Sequence, residues 1–278
     1  DHRDLHSFPT RRSSDLLDWV YHNYIRNPRF TGLWLDFEGK PLVTLLNLGH
    51  TYMATGKDKL VDPEGHFTIR YVSAQNDKSR EHELGLWSWM DTGAMVTYKD
   101  GVAEAVTAAF GYFDSGGWTK ANAAGLRGGA TFLETMRVAL DAKPQVLFLH
   151  QFNEFAGQAE GAGHGENKDN YYDTYSAELT DDYEPTALDT PGYRSPQGGW
   201  GYFYLNLQAA VIDLYKQATP ETTVLVLESP RRLTEVDASL PLKWQWIGLE
   251  PETFTLFIDG KEVASGLRTD TYQLDTSE

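Results

Sequence analysis

The chain has 278 residues, 41% hydrophobic and 13% aromatic, enough to fill one large core or a core with a smaller appendage. A formal net charge of −16 excludes the basic surface that a nucleic-acid backbone demands, and the absence of cysteine excludes disulfides, thiol catalysis and Cys-ligated zinc. No segment approaches the roughly 20 consecutive apolar residues that span a bilayer.

Residues 1–16, DHRDLHSFPTRRSSDL, carry three Arg and three Asp that cancel and show neither helical nor strand period. They lack the apolar stretch of a signal peptide and are too acidic for a transit peptide. His6 to Leu16 resemble one translated frame of a common short-read sequencing adapter, which implies a non-native leader after which the protein itself is entered mid-chain near Leu17.

Leu17, Val20, Tyr21, Tyr24 and Ile25 then recur at helical spacing and stop before Pro28. The apolar run Leu42 to Leu46 reads as a strand buried on both faces, HFTIRYVSA as a second, AEAVTAAFGYF as a third and PQVLFLHQFNEF as the clearest. Between the last two, Phe132, Leu133, Met136 and Leu140 form one stripe of an amphipathic helix that ends at Pro144. Doubly buried strands separated by helices and long polar loops predict an α/β architecture, a partial (β/α)8 TIM-type barrel over residues 17–220. The aperiodic stretch from Gly157 to Gly199 is expected to be a functional loop, followed by the helix YFYLNLQAAVIDLYKQA.

From Thr222 the texture changes to short alternating strands with an Asp259-Gly260 hairpin turn. Residues 221–278 are therefore expected to be the start of an all-β immunoglobulin or fibronectin III-like sandwich, too few strands to complete one. Val224 to Leu227 fits either the close of the barrel or the opening of this module.

The chemistry is expected at the end of QVLFLHQFNEF, where Gln151, Asn153 and Glu154 follow an apolar run. In a parallel barrel the carboxyl ends of the strands carry the active site, so Glu154 is a candidate acid or base and Asn153 a donor to a substrate hydroxyl. Trp87, Trp89 and Asp91 alternate in GLWSWMDTG, which in an extended segment places two indoles beside a carboxylate, either a sugar-stacking platform or a hydrophobic lid. Asn76 and Asp77 lie at another predicted strand end. His50, His66, His150 and His164 show no metal spacing, and no phosphate-binding loop, dinucleotide fingerprint or nucleophile elbow is present, so neither metal nor cofactor is expected.

HQFNEFAGQ, then DDYEPT at Asp181 to Thr186, then GYFYLNL at Gly201 to Leu207, together with DFEGKPLVTLL, resemble in order the glycoside hydrolase family 71/99-like proteins. That group includes the endo-alpha-mannosidases and the WbsX-like polysaccharide-biosynthesis proteins. The resemblance covers roughly Leu17 to Ala218 and implies a barrel that hydrolyses glycosidic bonds of a polysaccharide or glycan, secreted or periplasmic, with Glu154 as acid/base. In the endo-mannosidase branch a second Glu follows three residues later; here that position is Gly157. A glycosidase needs a second carboxyl group about 5–10 Å away, for which Glu160, Asp91, Asp114 and Glu184 stand as alternatives. Glu184 either contacts substrate or only shapes its loop before Pro185. Carbohydrate is the expected partner, with no nucleic acid and no membrane span. A catalytically silent carbohydrate-binding protein and an adhesion or scaffold protein are the rival readings.

Overall fold

A computed structural model describes residues 13–46, 62, 64–72, 85–113, 118, 121–153, 178–186, 199–230 and 234–277. They fall into two compact units, Asp1–Trp89 and Met90–Glu278.

In the first unit helix α1 (Ser13–Val20) runs into a π-helical turn, Tyr21–Ile25, and a 3-10 turn, Pro28–Phe30, started by Pro28 behind an Asn27 cap. Strands β1 (Asp36–Phe37), β2 (Lys40–Leu46) and β3 (Thr68–Val72) form one sheet, antiparallel between β1 and β2 and parallel between β2 and β3. Leu17 and Phe67 are its buried anchors, with Val20, Tyr21, Ile25, Val43, Leu45 and Ile69 packed around them. The helical period of the first segment is thus spent on one side of this sheet.

The second unit is built on β4 (Val96–Lys99), β5 (Val102–Ala109), β6 (Tyr112–Phe113), β7 (Ala123–Ala124), helix α2 (Ala130–Ala142) and β8 (Val146–His150). Helix α3 (Phe203–Tyr215) follows, then β9 (Thr223–Ser229), β10 (Ser239–Gly248), β11 (Phe254–Ile258), β12 (Lys261–Leu267) and β13 (Thr271–Asp275). Helix α2 buries Phe132, Leu133, Met136 and Ala139, a helical stripe, and stops where Lys143 turns left-handed and donates its N–H to the Ala139 carbonyl. It joins β5 to β8, which pair in parallel from Ala105↔Val146 to Ala109↔His150. Strand β5 is fully buried over its last six residues, so its small side chains, three of them Ala, let the helix lie close.

Phe110, just past β5, is the hub of the core. Its ring stacks on Phe132 at 4.0 Å, lies 4.4 Å from Tyr183 and meets Tyr204 edge-on at 5.6 Å. Each such pair contributes about 0.5–1.5 kcal/mol beyond the burial of its area. Leu207, Val211 and Leu214 of α3, Val226 of β9 and Ile247 of β10 complete the same core. Residues past Thr222 therefore share their interior with α2 and α3. The Asp259-Gly260 pair turns β11 into β12, both residues at positive φ, as a two-residue hairpin requires.

The expected (β/α)8 barrel is not what these residues form. The described chain is mostly β: five small sheets of two or three strands, ordered β1-β2-β3, β4-β5-β8, β6-β7, β13-β10-β9 and β11-β12, with three α-helices. Among the described strands only β2/β3 and β5/β8 pair in parallel, with one isolated parallel bridge between Val72 and Trp87. The expected fibronectin III-like sandwich gives way in turn to a three-stranded and a two-stranded antiparallel sheet, linked where Trp244 meets Phe254 at 5.3 Å. The physical reason is that an apolar run reports burial, not the partner that buries it. Strand β5 owes its burial to α2 as well as to its sheet, while the equally apolar β2 exposes Thr44 and only half-buries Leu42, Val43 and Leu45. Among the described residues no helix is long and apolar enough to cross a membrane.

Candidate functional site

The carboxyl end of β8 is where the sequence pointed, and there a second segment, 178–186, folds back onto it. Two glycines admit that segment. A Cβ on Gly125 would stand 2.0 Å from the Glu178 carbonyl oxygen, and one on Gly111 would stand 2.1 Å from that of Thr180. Neither distance is possible for a side chain, so backbone rests directly on backbone at both places. Leu126 N–H donates to the Glu178 carbonyl and Arg127 N–H to the Glu178 carboxylate, fixing the start of the segment.

His150 closes the strand with its side chain buried. Its Nε2 lies 2.8 Å from Asp181 Oδ2, and both side chains are almost wholly shielded from water. Burial pushes the Asp181 carboxyl up from its ordinary value, the His150 bond pulls it back down, and neighbouring Asp182 adds to the rise. Gln151 then adopts a left-handed backbone, φ 55°, which ends the strand and turns the following residues outward. The Phe152 carbonyl accepts the N–H groups of Tyr183 and Glu184, and Asn153 Nδ2 donates to Glu184 Oε2 at 2.6 Å.

The surroundings are aromatic. Phe152 meets Tyr183 edge-on at 5.3 Å while remaining 43% exposed. Trp200 donates its indole N–H to the Glu184 carbonyl and its backbone N–H to the Thr186 hydroxyl, and Thr186 bridges Gly201. The next two residues, Tyr202 and Phe203, stand 65% and 47% exposed at the start of α3. Gln208 of the same helix donates to the Tyr183 hydroxyl, whose pKa burial pushes up. A polar pair, an amide and a carboxylate, is thus presented among aromatic rings, the combination that suits a ligand with both apolar faces and hydroxyls.

Of the residues singled out in the sequence, the structure brings Asn153 and Glu184 together and places Gln151 beside them, half-buried. Glu154, Glu160, Asp114, Asn76 and Asp77 lie outside the described residues. The alternation read in GLWSWMDTG does not hold as one face. Trp87 is completely buried, edge-on to Phe37 at 5.8 Å, while Trp89 is 40% exposed, and the residues between and around them, Leu86, Ser88, Met90 and Asp91, are all buried. The segment is not a strand, so period two has no meaning there; Trp87 belongs to the interior of the first unit and Asp91 to the second unit. Sequence reasoning missed the His150–Asp181 pair, for which the only signal was a histidine ending an apolar strand.

A second polar cluster in this unit is closed on itself. Arg127 donates to Glu228 Oε1 from Nε at 3.0 Å and from Nη2 at 2.7 Å, and to Glu134 from Nη1 at 2.7 Å, while Lys243 and Gln245 reach the other Glu228 oxygen. In the first unit Asp18, Glu64 and His66 bring ligand atoms within 4.8 Å of one another, a set able to hold a cation; His66 is stacked on Tyr21 at 3.6 Å and bonded to Glu64 at 2.6 Å. No family model, curated protein or solved structure matches the chain.

Proposed function

We propose that the end of β8 binds a glycan and hydrolyses its glycosidic bonds. The observation that carries this reading is the exposed Asn153–Glu184 pair, with Phe152 next to it in the chain and the Trp200 indole bonded to the Glu184 carbonyl. Sugars pack C–H faces on such rings and exchange hydroxyl hydrogen bonds with such polar groups. The resemblance to family 71/99-like glycoside hydrolases supports it on the same residues, and the reading rests on side chains rather than on fold. Glu154, next in sequence to Asn153, serves as general acid, protonating the leaving oxygen as the glycosidic C–O bond breaks. Glu184 is the second carboxylate, activating water or attacking the anomeric carbon, with Asn153 orienting it. The net charge of −16 favours a neutral glycan, and a secreted or periplasmic place of action goes with a polymeric substrate.

The test is reducing-end release from a panel of neutral polysaccharides by the unaltered chain, Glu154→Gln and Glu184→Gln. Loss of release with retained binding is expected in both variants. Equal release from the unaltered chain and Glu154→Gln removes the assigned role. Binding without release by the unaltered chain selects the second reading, a silent carbohydrate-binding protein, which is favoured by Gly157 standing where the endo-mannosidase branch has its second Glu.

A further inference from the structure

Residues 181–184 lie beside residues 150–153 at a constant offset of 31 positions, with one hydrogen bond buried at the inner end and one exposed at the outer end. The inner pair is His150–Asp181, the outer pair Asn153–Glu184, and between them the Phe152 carbonyl holds the N–H groups of Tyr183 and Glu184. The two ends are physically unequal. The exposed pair competes with water and contributes little to holding the chain in place. The buried pair cannot part without stranding two polar groups away from solvent, so the register is decided there. A slip of one position would set Thr180 or Asp182 opposite His150, but those two are bonded to each other, the Thr180 hydroxyl accepting from Asp182 N–H at 3.0 Å and lying 3.3 Å from its carboxylate.

We infer that His150 and Asp181 are the positioning pair of the glycan site, fixing the register in which Glu184 meets Asn153 and Trp200. The register is a property of the folded chain; its consequence for ligand rests on the glycan reading, and the two can fail separately.

Trp200 reports the register directly, because its indole donates to the Glu184 carbonyl at 2.9 Å. The full chain is labelled with 5-fluorotryptophan, and Trp200→Phe identifies the Trp200 line among those of its eight tryptophans. Asp181→Leu is expected to move that 19F line and to weaken binding to the neutral polysaccharides about tenfold or more, since small misplacements of a site are costly. Asp181→Asn, which keeps an oxygen opposite His150, is expected to restore both, a rescue that general loosening of the fold would not produce. A folded Asp181→Leu chain with an unmoved Trp200 line overturns the inference, as does an Asn variant no better than Leu. Should circular dichroism show Asp181→Leu unfolded, Asp181→Ser removes the carboxylate with less bulk and faces the same two outcomes. A Trp200 line that moves in a protein binding none of the polysaccharides upholds the register and rejects the glycan reading.

Discussion

Replacing Arg127 with methionine should destabilise the second unit by about 2–3 kcal/mol near neutral pH, and by much less in acid. Methionine keeps most of the apolar stem and removes the guanidinium, so the change isolates the charge. Three hydrogen bonds to carboxylates disappear, two of them on Glu228 Oε1, whose side chain is only 13% exposed. Stranding a buried carboxylate costs about 3–5 kcal/mol in full burial; Arg127 is 28% exposed and Lys243 stays 3.1 Å from the other oxygen, which lowers the figure. The pH dependence follows from Glu228. Burial alone would raise its pKa, but its bonds to Arg127 and Lys243 outweigh burial and hold it below the ordinary value of 4.5. A depressed carboxyl contributes stability that is present above the unfolded value and is lost as pH falls through the folded one. Urea unfolding across a pH series from about 7 downward checks this: the two chains should differ near neutral pH, and the difference should shrink as pH falls below the ordinary carboxyl range. A difference that persists in acid would mean that Arg127 acts through packing or through its left-handed backbone, φ 46°, rather than through charge.

Some of this organisation was legible in the sequence, and the reason differs from element to element. Helix α2 could be read from Phe132, Leu133 and Met136 because a helical stripe is a local property, and the Asp259-Gly260 turn because two consecutive positive φ angles select those residues. Strand β8 could be read from its apolar run. Which strand lies beside it could not, since pairing partners leave no local period, and the runs that suggest a barrel fall in separate small sheets, β2 with β3 in one and β5 with β8 in another. The site shows the same division. Asn153 and Glu184 each carried a signal, a polar group after an apolar strand and a carboxylate before a proline, but nothing in their local sequence says that they meet across 31 positions. Trp87 carried a misleading one: an indole looks the same in sequence whether it faces a ligand or, as here, is sealed beside Phe37 and Arg70. What the sequence hid most completely is the contribution of Gly111 and Gly125, whose role is to be absent as side chains.

Gly111→Ala is therefore expected to damage the candidate site. The added methyl would lie 2.1 Å from the Thr180 carbonyl oxygen, 2.9 Å from its carbon and 3.3 Å from the Ala124 oxygen, all of them backbone atoms that no rotamer change can move. The segment must lift, and the overpacking should cost about 1–3 kcal/mol. Lifting Thr180 pulls on Asp181, its neighbour, and through it on the bonds that Tyr183 and Glu184 make to Phe152. Amide hydrogen exchange reads this: protection at Tyr183 and Glu184 should fall by about tenfold or more, while amides in the middle of α2 keep theirs. Gly101→Ala is the control, because it sits at φ 79° with nothing within 4 Å of the new methyl. It should lower global stability by up to about 1 kcal/mol through backbone strain and leave the relative protection of Tyr183 and Glu184 unchanged. If Gly111→Ala behaved like Gly101→Ala, the close approach of the two backbones would not be what seats Glu184 against Asn153, and the geometry of the site would have to come from β8 alone.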